Sequence, residues 1–235
     1  MTTPEHDETH DRAVRDMFQD IAPVYDRMNQ IMTLGRVRAW RKELVQGLKL
    51  KSGQCVLDLA TGTGDIAFEM LRQQPDLQVW ATDFSVNMMQ LGRKRTGADK
   101  MHWVSADAHL LPFKNESFDA VSCGFLLRNA SDRKQVIGEI YRVLKPGGVF
   151  ASLDTMPPAG PFKPMIWLAC RVAVPVISSV LTRRKDAYQY LGDSTLGFVS
   201  PVQIEHEMQA QGFEKCGHLT RWFRSIAIVR GIKPS

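Results

Sequence analysis

The chain has 235 residues, 44% hydrophobic and 23% charged, a globular balance that suits one core and excludes extended disorder beyond the polar start, Met1 to Asp11. Its net charge of +5 is mild and spread along the chain, without a nucleic-acid-binding motif, so no nucleic-acid partner is expected. Cys55, Cys123, Cys170 and Cys216 stand far apart with no C-x-x-C pair, which argues against a zinc site or a redox dithiol; no metal is expected.

The first residues carry Glu5, Asp7 and Glu8 and no apolar stretch, so no signal peptide is read there and a cytoplasmic location is the expectation. Asp16 to Trp40 reads as irregular helix. From Gln54 onward strand-like and helix-like patterns alternate, which predicts a parallel sheet with helices on both faces. Cys55 to Leu59 is the first strand and ends in a glycine turn. Ile66, Ala67, Met70 and Leu71 follow at helical spacing until Pro75. Leu77 to Ala81 reads as the second strand, Ser85 as the N-cap of the next helix, and Met101 to Ser105 as the third strand. Phe118 to Phe125 is predicted as strand four, Arg133 to Leu144 as a helix stopped by Lys145-Pro-Gly-Gly, and Val149 to Asp154 as strand five.

Between Pro157 and Pro201 the composition shifts to Pro, Met, Trp and Val without a strand pattern. Its longest apolar run, Pro164 to Leu181, holds Arg171 and Pro175, which argues against a membrane span. After Pro201 a helix precedes two strand-like runs, Phe213 to Leu219 and Ser225 to Val229, that would complete the sheet as an antiparallel edge. The expectation is therefore a single domain over 1–235: a helical cap over 12–42, a core over 43–155, an apolar lid over 156–200 and a C-terminal helix with the last two strands over 201–235. The fold class is α/β, Rossmann-like, with a mostly parallel doubly wound sheet.

The turn from Asp58 through Gly62, Thr63 and Gly64 to Ala67 follows a strand and opens a helix, and Asp83 lies 19 residues beyond Gly64. This spacing also satisfies the dinucleotide fingerprint. Charge separates the two readings, because a pyrophosphate at the helix N-terminus would meet the carboxylates of Asp58 and Asp65. S-adenosylmethionine (SAM) brings a sulfonium and an ammonium instead, which those acids favour. On that reading Gly62 and Gly64 let the backbone approach the methionine half. Asp83, with Phe84 beside it, takes the ribose hydroxyls, and Asp107-Ala108 holds the adenine edge. Singly, Asp83 could equally cap a helix and Asp107 form a turn.

Several blocks resemble one family. Tyr25-Asp-Arg-Met-Asn29 with Gly35, Arg38, Trp40 and Arg41 resembles an N-terminal signature, Leu57 to Asp65 a SAM loop, Leu127-Arg-Asn129 with Asp132 and Tyr141 to Gly148 a second signature, and Tyr188 to Leu191 with Ser194 and Phe198 a lid. The sequence is identified by these blocks as similar to the ubiquinone and menaquinone C-methyltransferases, a branch of the class I SAM-dependent methyltransferases. The resemblance implies transfer of a methyl group to the ring carbon of a prenylated quinol. It also implies SAM contacts at Thr63, Asp83, Asp107 and Ala108, with Gly124 standing where some members have a serine.

Val37 stands where the family has His, Asp154 where it has Glu, and the tail from Leu219 to Gly231 lacks the usual Gly and His. These departures bear on the acceptor, whose alternative is another small molecule such as an aromatic polyketide, phenol or amine; a non-catalytic SAM-binding module is a third reading. Asp154 and Trp222 are expected near the substrate mouth.

For catalysis Arg128 is the first candidate, as a guanidinium that stabilises a developing phenolate; its pKa above about 12 keeps it from acting as a base. The plainer role is a loop ion pair with Asp132. Asn129 would orient the ring oxygen or cap the next helix, and Tyr25 and Asp154 are candidates to touch the acceptor. No histidine is assigned a role. The segment 157–185, apolar and ending in Arg183-Arg184-Lys185, is expected to rest on a membrane surface or, alternatively, to form a buried helix pair that closes the core or makes a homodimer.

Overall fold

The computed structural model describes residues 8–157, 160–168, 171 and 185–235. Two helices come first, α1 (Glu8–Met32) and α2 (Val37–Leu48). The break between them falls at Thr33–Arg36 because Leu34 and Gly35 take left-handed φ values of 49° and 74°. Thr33 ties both ends together: its hydroxyl donates to the Asn29 carbonyl (2.6 Å) and accepts from the Val37 N–H (3.3 Å).

The alternation then proceeds as β1 (Cys55–Leu59), α3 (Asp65–Gln73), β2 (Gln78–Asp83), α4 (Val86–Arg93), β3 (Met101–Ser105), β4 (Phe118–Gly124), α5 (Arg133–Val143) and β5 (Leu144–Thr155). Ser85 caps α4 and Asp132 caps α5, each accepting an N–H of the first turn. The Lys145-Pro-Gly-Gly stop belongs to β5 itself, whose register against β4 shifts between Phe118 and Ala120. Beyond it lie α6 (Lys163–Leu168), α7 (Lys185–Leu196), α8 (Pro201–Ala210), β6 (Glu214–Arg221) and β7 (Ile226–Ile232).

The seven strands run in the order β3-β2-β1-β4-β5-β7-β6. β1 to β5 are parallel, and β7 is antiparallel to both of its neighbours, β5 and β6. The antiparallel pairing expected at the C-terminal end of the sheet is present, with β7 inserted inside and β6 on the rim. A last strand that fits beside β5 must run backwards, because the connection from β6 is a tight hairpin through Trp222–Arg224, all three with left-handed φ.

The sheet's two faces bury separate cores. One gathers Phe118, Val121, Ile137, Ile140, Phe150, Met208 and their neighbours beneath α5 and α8. The other gathers Val37, Leu44, Val56, Ile66, Met70 and Val79 beneath α2 and α3. A third cluster, Val14, Phe18, Ile21, Ala22 and Met28 with Met88, fixes α1 against α4. Among the described residues no helix is long and apolar enough to cross a membrane. Of the segment 157–185, expected as a membrane-facing lid, residues 158–159, 169–170 and 172–184 lie outside the described residues.

Candidate active site

Strand order reverses between β1 and β4, and the crevice outside the carboxyl ends at such a switch point is where α/β sheets take ligands. Here it is a cleft of about 940 Å³, walled by the loop after β1, the ends of β2 and β4, the turn after β3 and the inner face of α1.

The loop after β1 is built from the inside. Asp58 is fully buried and accepts from the hydroxyls of Thr61 (2.6 Å) and Ser122 (2.6 Å) and from the Ala67 N–H (3.2 Å). Burial pushes its pKa up to about 6 against those hydrogen bonds. Asp58 thus staples β1, β4 and α3 together beneath the cleft. The loop turns through left-handed Ala60, Gly62 (φ 58°) and Gly64 (φ 90°), and glycine meets that demand without strain. Thr63 faces the cleft and its hydroxyl donates to Asp26 of α1 (2.8 Å). Gly64 does not line the cleft; its N–H closes the turn onto the Thr61 carbonyl (2.9 Å).

Asp83 ends β2 and is buried. One carboxylate oxygen accepts from the Gly62 N–H and the other from the Ser85 N–H, both at 2.7 Å, while burial raises its pKa to about 6. The loop amide that could have met a pyrophosphate is therefore committed to a carboxylate. Asp65 pairs with Arg41 and with Arg95 (2.7 Å), so its charge is balanced. The anionic character of the cleft rests on Asp11, Asp65, Asp83 and Asp107, which line it with Arg41 as the one lining arginine among the described residues, whereas Asp58, expected at the cofactor, lies beneath it.

Phe84, Asp107, Ala108 and Gly124 all line the same cleft. A side chain at Gly124 would begin 2.7 Å from the Ile66 Cδ1, the end of a flexible chain, so a small residue could be accommodated there by a rotamer change.

Of the acceptor-side candidates, Tyr25 and Asn129 line the cleft. Burial raises the Tyr25 phenol pKa, opposed by the neighbouring Asn29 side chain and by the charges of Arg128 and Arg41. Asn129 donates to the Phe125 carbonyl (2.7 Å), and its Oδ1 is buried without a partner among the described residues. It does not cap α5, a position held by Asp132. Arg128 and Asp154 stand behind the wall, each side chain 3% exposed. Arg128 Nη1 donates to Asp154 Oδ1 (2.8 Å) and to Thr155 Oγ1 (3.1 Å), and the Arg128 N–H donates to Asp154 Oδ2 (3.2 Å). The arginine's partner is thus Asp154, not Asp132, and its Nε is buried without a partner among the described residues.

Trp222 stacks edge-on against Trp40 (5.8 Å between centroids) and under Arg36 (5.0 Å), and Val37 is fully buried in the α2–α3 core. Neither lines the cleft.

Asp65, expected beside the cofactor, does line the cleft, whereas sequence reasoning missed Thr61, Arg41 and Asp11 as walls, and above all His109, whose ring lies inside the cleft wall beside Asp107. Burial lowers the His109 pKa, but Asp107, Asp11 and Asp132 outweigh it and the result is raised. No sequence signal marks this histidine, because its partners come from three separate segments, its own turn, α1 and the start of α5.

The sequence profile of the ubiE/COQ5 methyltransferase family matches residues 6–233. The ubiquinone/menaquinone biosynthesis C-methyltransferase UbiE of Desulfotalea psychrophila is 39% identical over 221 residues, 94% of this chain and 90% of that protein. The demethylmenaquinone methyltransferase of Deinococcus radiodurans is 38% identical over 205 residues, 86% of this chain and 85% of that protein. Among solved structures, the Haemonchus contortus phosphoethanolamine N-methyltransferase 2 in complex with SAM superposes with a TM-score of 0.64 at 17% identity, covering 84% of this chain and 53% of that one, a likeness of fold. With the profile spanning almost the whole sequence and such relatives aligned nearly end to end, this chain belongs to the ubiE/COQ5 methyltransferase family.

Proposed function

We propose that this protein is a SAM-dependent methyltransferase that methylates a ring carbon of a prenylated quinol. The observation that carries this reading is the convergence of the glycine turn, Asp83, Asp107-Ala108 and Gly124 with α1 on one acidic cleft at the sheet's switch point. The names of the aligned relatives support the quinone-precursor acceptor.

The fit to SAM rests on chemistry the cleft already displays. Gly62 and Thr63 offer the close backbone approach that the methionine half needs, Asp83 and Phe84 stand at the ribose, and Asp107-Ala108 at the adenine edge. Bound there, SAM supplies an electrophilic methyl group on a sulfonium. The residues of the chain then have three tasks: aligning the acceptor carbon, keeping water out and managing a ring-hydroxyl proton. Alignment in a dry pocket is worth roughly 7–11 kcal/mol in favourable systems.

Tyr25, kept protonated by burial, can donate a hydrogen bond to a ring oxygen as it gains charge. Asn129 Oδ1, buried and unpartnered among the described residues, can accept from a ring hydroxyl. Arg128, held by Asp154, acts from behind the wall, where it fixes the backbone that carries Asn129 and bears on the acceptor only through its charge. Incubation with SAM and a panel of reduced quinones, with the added methyl located by mass spectrometry, tests the function. Methylation on oxygen or nitrogen alone would refute it.

A lipid-tailed acceptor has to be collected from a bilayer, and we place that contact on the segment 157–185. Its described part leaves Trp167 48% and Leu168 55% exposed on α6. Co-sedimentation with anionic and neutral vesicles at low and high salt is the test; no binding in any condition would exclude the contact.

A further inference from the structure

We infer that His109 is a positioning residue for the nucleoside end of the cofactor site, fixing the Asp107 carboxylate through its ring. The inference deepens the reading of the cleft as a SAM site and rests on it.

The ring is held on both sides. The Asp132 N–H lies 3.3 Å from Nε2 and points at it, and a backbone N–H can only donate, so Nε2 is the accepting nitrogen and Nδ1 carries the proton. Nδ1 then donates to Asp107 Oδ1 at 2.8 Å, and the same oxygen accepts the His109 backbone N–H, also at 2.8 Å. One carboxylate oxygen is thereby clamped by two donors from a single residue. The second carboxylate near this nitrogen is Asp11 Oδ2, at 3.7 Å, brought by α1; it accepts the Ser131 hydroxyl at 2.7 Å. The turn itself is pinned from α5, where the Gln135 amide donates to the His109 carbonyl (2.9 Å).

His109 is thus the point where the turn after β3, α1 and the start of α5 meet. Its side chain is 6% exposed, whereas that of Asp107 is 48% exposed toward the cleft. A buried ring that sets the angle of a half-exposed carboxylate is what preorganises a polar contact before a ligand arrives.

Two near-isosteric substitutions separate positioning from mere packing. The Asn amide nitrogen overlays Nδ1, so His109→Asn keeps the donor to Asp107 and loses the acceptor for Asp132. The Gln amide overlays Nε2, so His109→Gln does the reverse. S-adenosylhomocysteine and adenosine binding are measured by calorimetry at pH 8 on the full chain, with thermal unfolding followed in parallel. The expected result is a roughly tenfold loss of affinity for both ligands in His109→Gln, the size of one hydrogen bond to a charged group. His109→Asn should stay within about threefold of the parent, whatever the order of the two unfolding temperatures. Equal affinities in the two variants, or a loss in His109→Asn as large as or larger than that in His109→Gln, would overturn the inference while leaving the cofactor site intact. Failure of the parent chain to bind S-adenosylhomocysteine would instead overturn the site reading and the inference together.

Discussion

Replacing Arg128 by Met isolates the energetics of the wall behind the acceptor site. Both members of the Arg128–Asp154 pair are 97% removed from solvent, and Asp154 spends its two oxygens on the Arg128 guanidinium, the Arg128 N–H and the Thr155 N–H (2.9 Å). Removing the guanidinium strands a carboxylate in a buried site, which costs about 3–5 kcal/mol, a large share of the roughly 5–15 kcal/mol that holds a domain together. For a chain of this length the unfolding temperature should fall by roughly 6–20 °C. The double variant Arg128→Met/Asp154→Leu removes both charges and leaves two backbone N–H groups to find other partners, at about 1 kcal/mol each. It should therefore be more stable than the sum of its single changes by about 2 kcal/mol or more. Urea unfolding of the four proteins of this cycle measures the coupling. A single-variant loss below about 1 kcal/mol, or strict additivity, would refute the reading of a tightly coupled buried pair.

Three further outcomes follow from the cleft. Asp83→Ala should weaken S-adenosylhomocysteine binding by about 1.5–3 kcal/mol while the protein stays folded; unchanged calorimetric affinity would move the ribose contact elsewhere. Because burial holds the Asp83 pKa at about 6, and ribose hydroxyls and a cationic ligand favour the ionised form, affinity should be flat above pH 7. It should drop about tenfold per unit below pH 6, with a proton released on binding; a profile flat from pH 8 to pH 5 would contradict this. NADH should not compete with SAM, since the Gly62 N–H is already given to Asp83 and the cleft is lined by carboxylates; displacement by submillimolar NADH would reverse the choice of cofactor.

Asp83 also sets a stability dependence. A carboxyl group whose folded pKa lies above its unfolded value binds protons more readily when folded between about pH 4 and 6. The stability that this proton contributes is fully present below about pH 4 and is lost as pH rises through about 6. Asp58, with the same shift and cause, adds to the loss in that window.

Much of this protein was legible as local pattern. The β/α alternation, the glycine turn opening α3, the Ser85 cap and the acid ending β2 are set by neighbours within a few residues. Their chemistry follows from steric rules and hydrogen-bond bookkeeping along the chain. Arg128 was visible as a charged loop residue, but the obvious partner four positions away was not the true one. Pairing with Asp154 required β4 and β5 to lie side by side, 26 residues apart.

The same holds for His109, which reads as a loop histidine until Asp11, Ser131, Asp132 and Gln135 arrive from α1 and α5. Asp26 is likewise joined to Thr63 only because α1 lies across the cleft. Sequence by itself determined the type and order of the elements and the residues that the turn after β1 presents, since those depend on short-range sterics. Which buried charges meet, which carboxylates face the cleft and where β7 enters the sheet were decided by tertiary packing. Desolvation is the physical reason: it gives a pair of polar groups its energy only once distant segments have together excluded water from it.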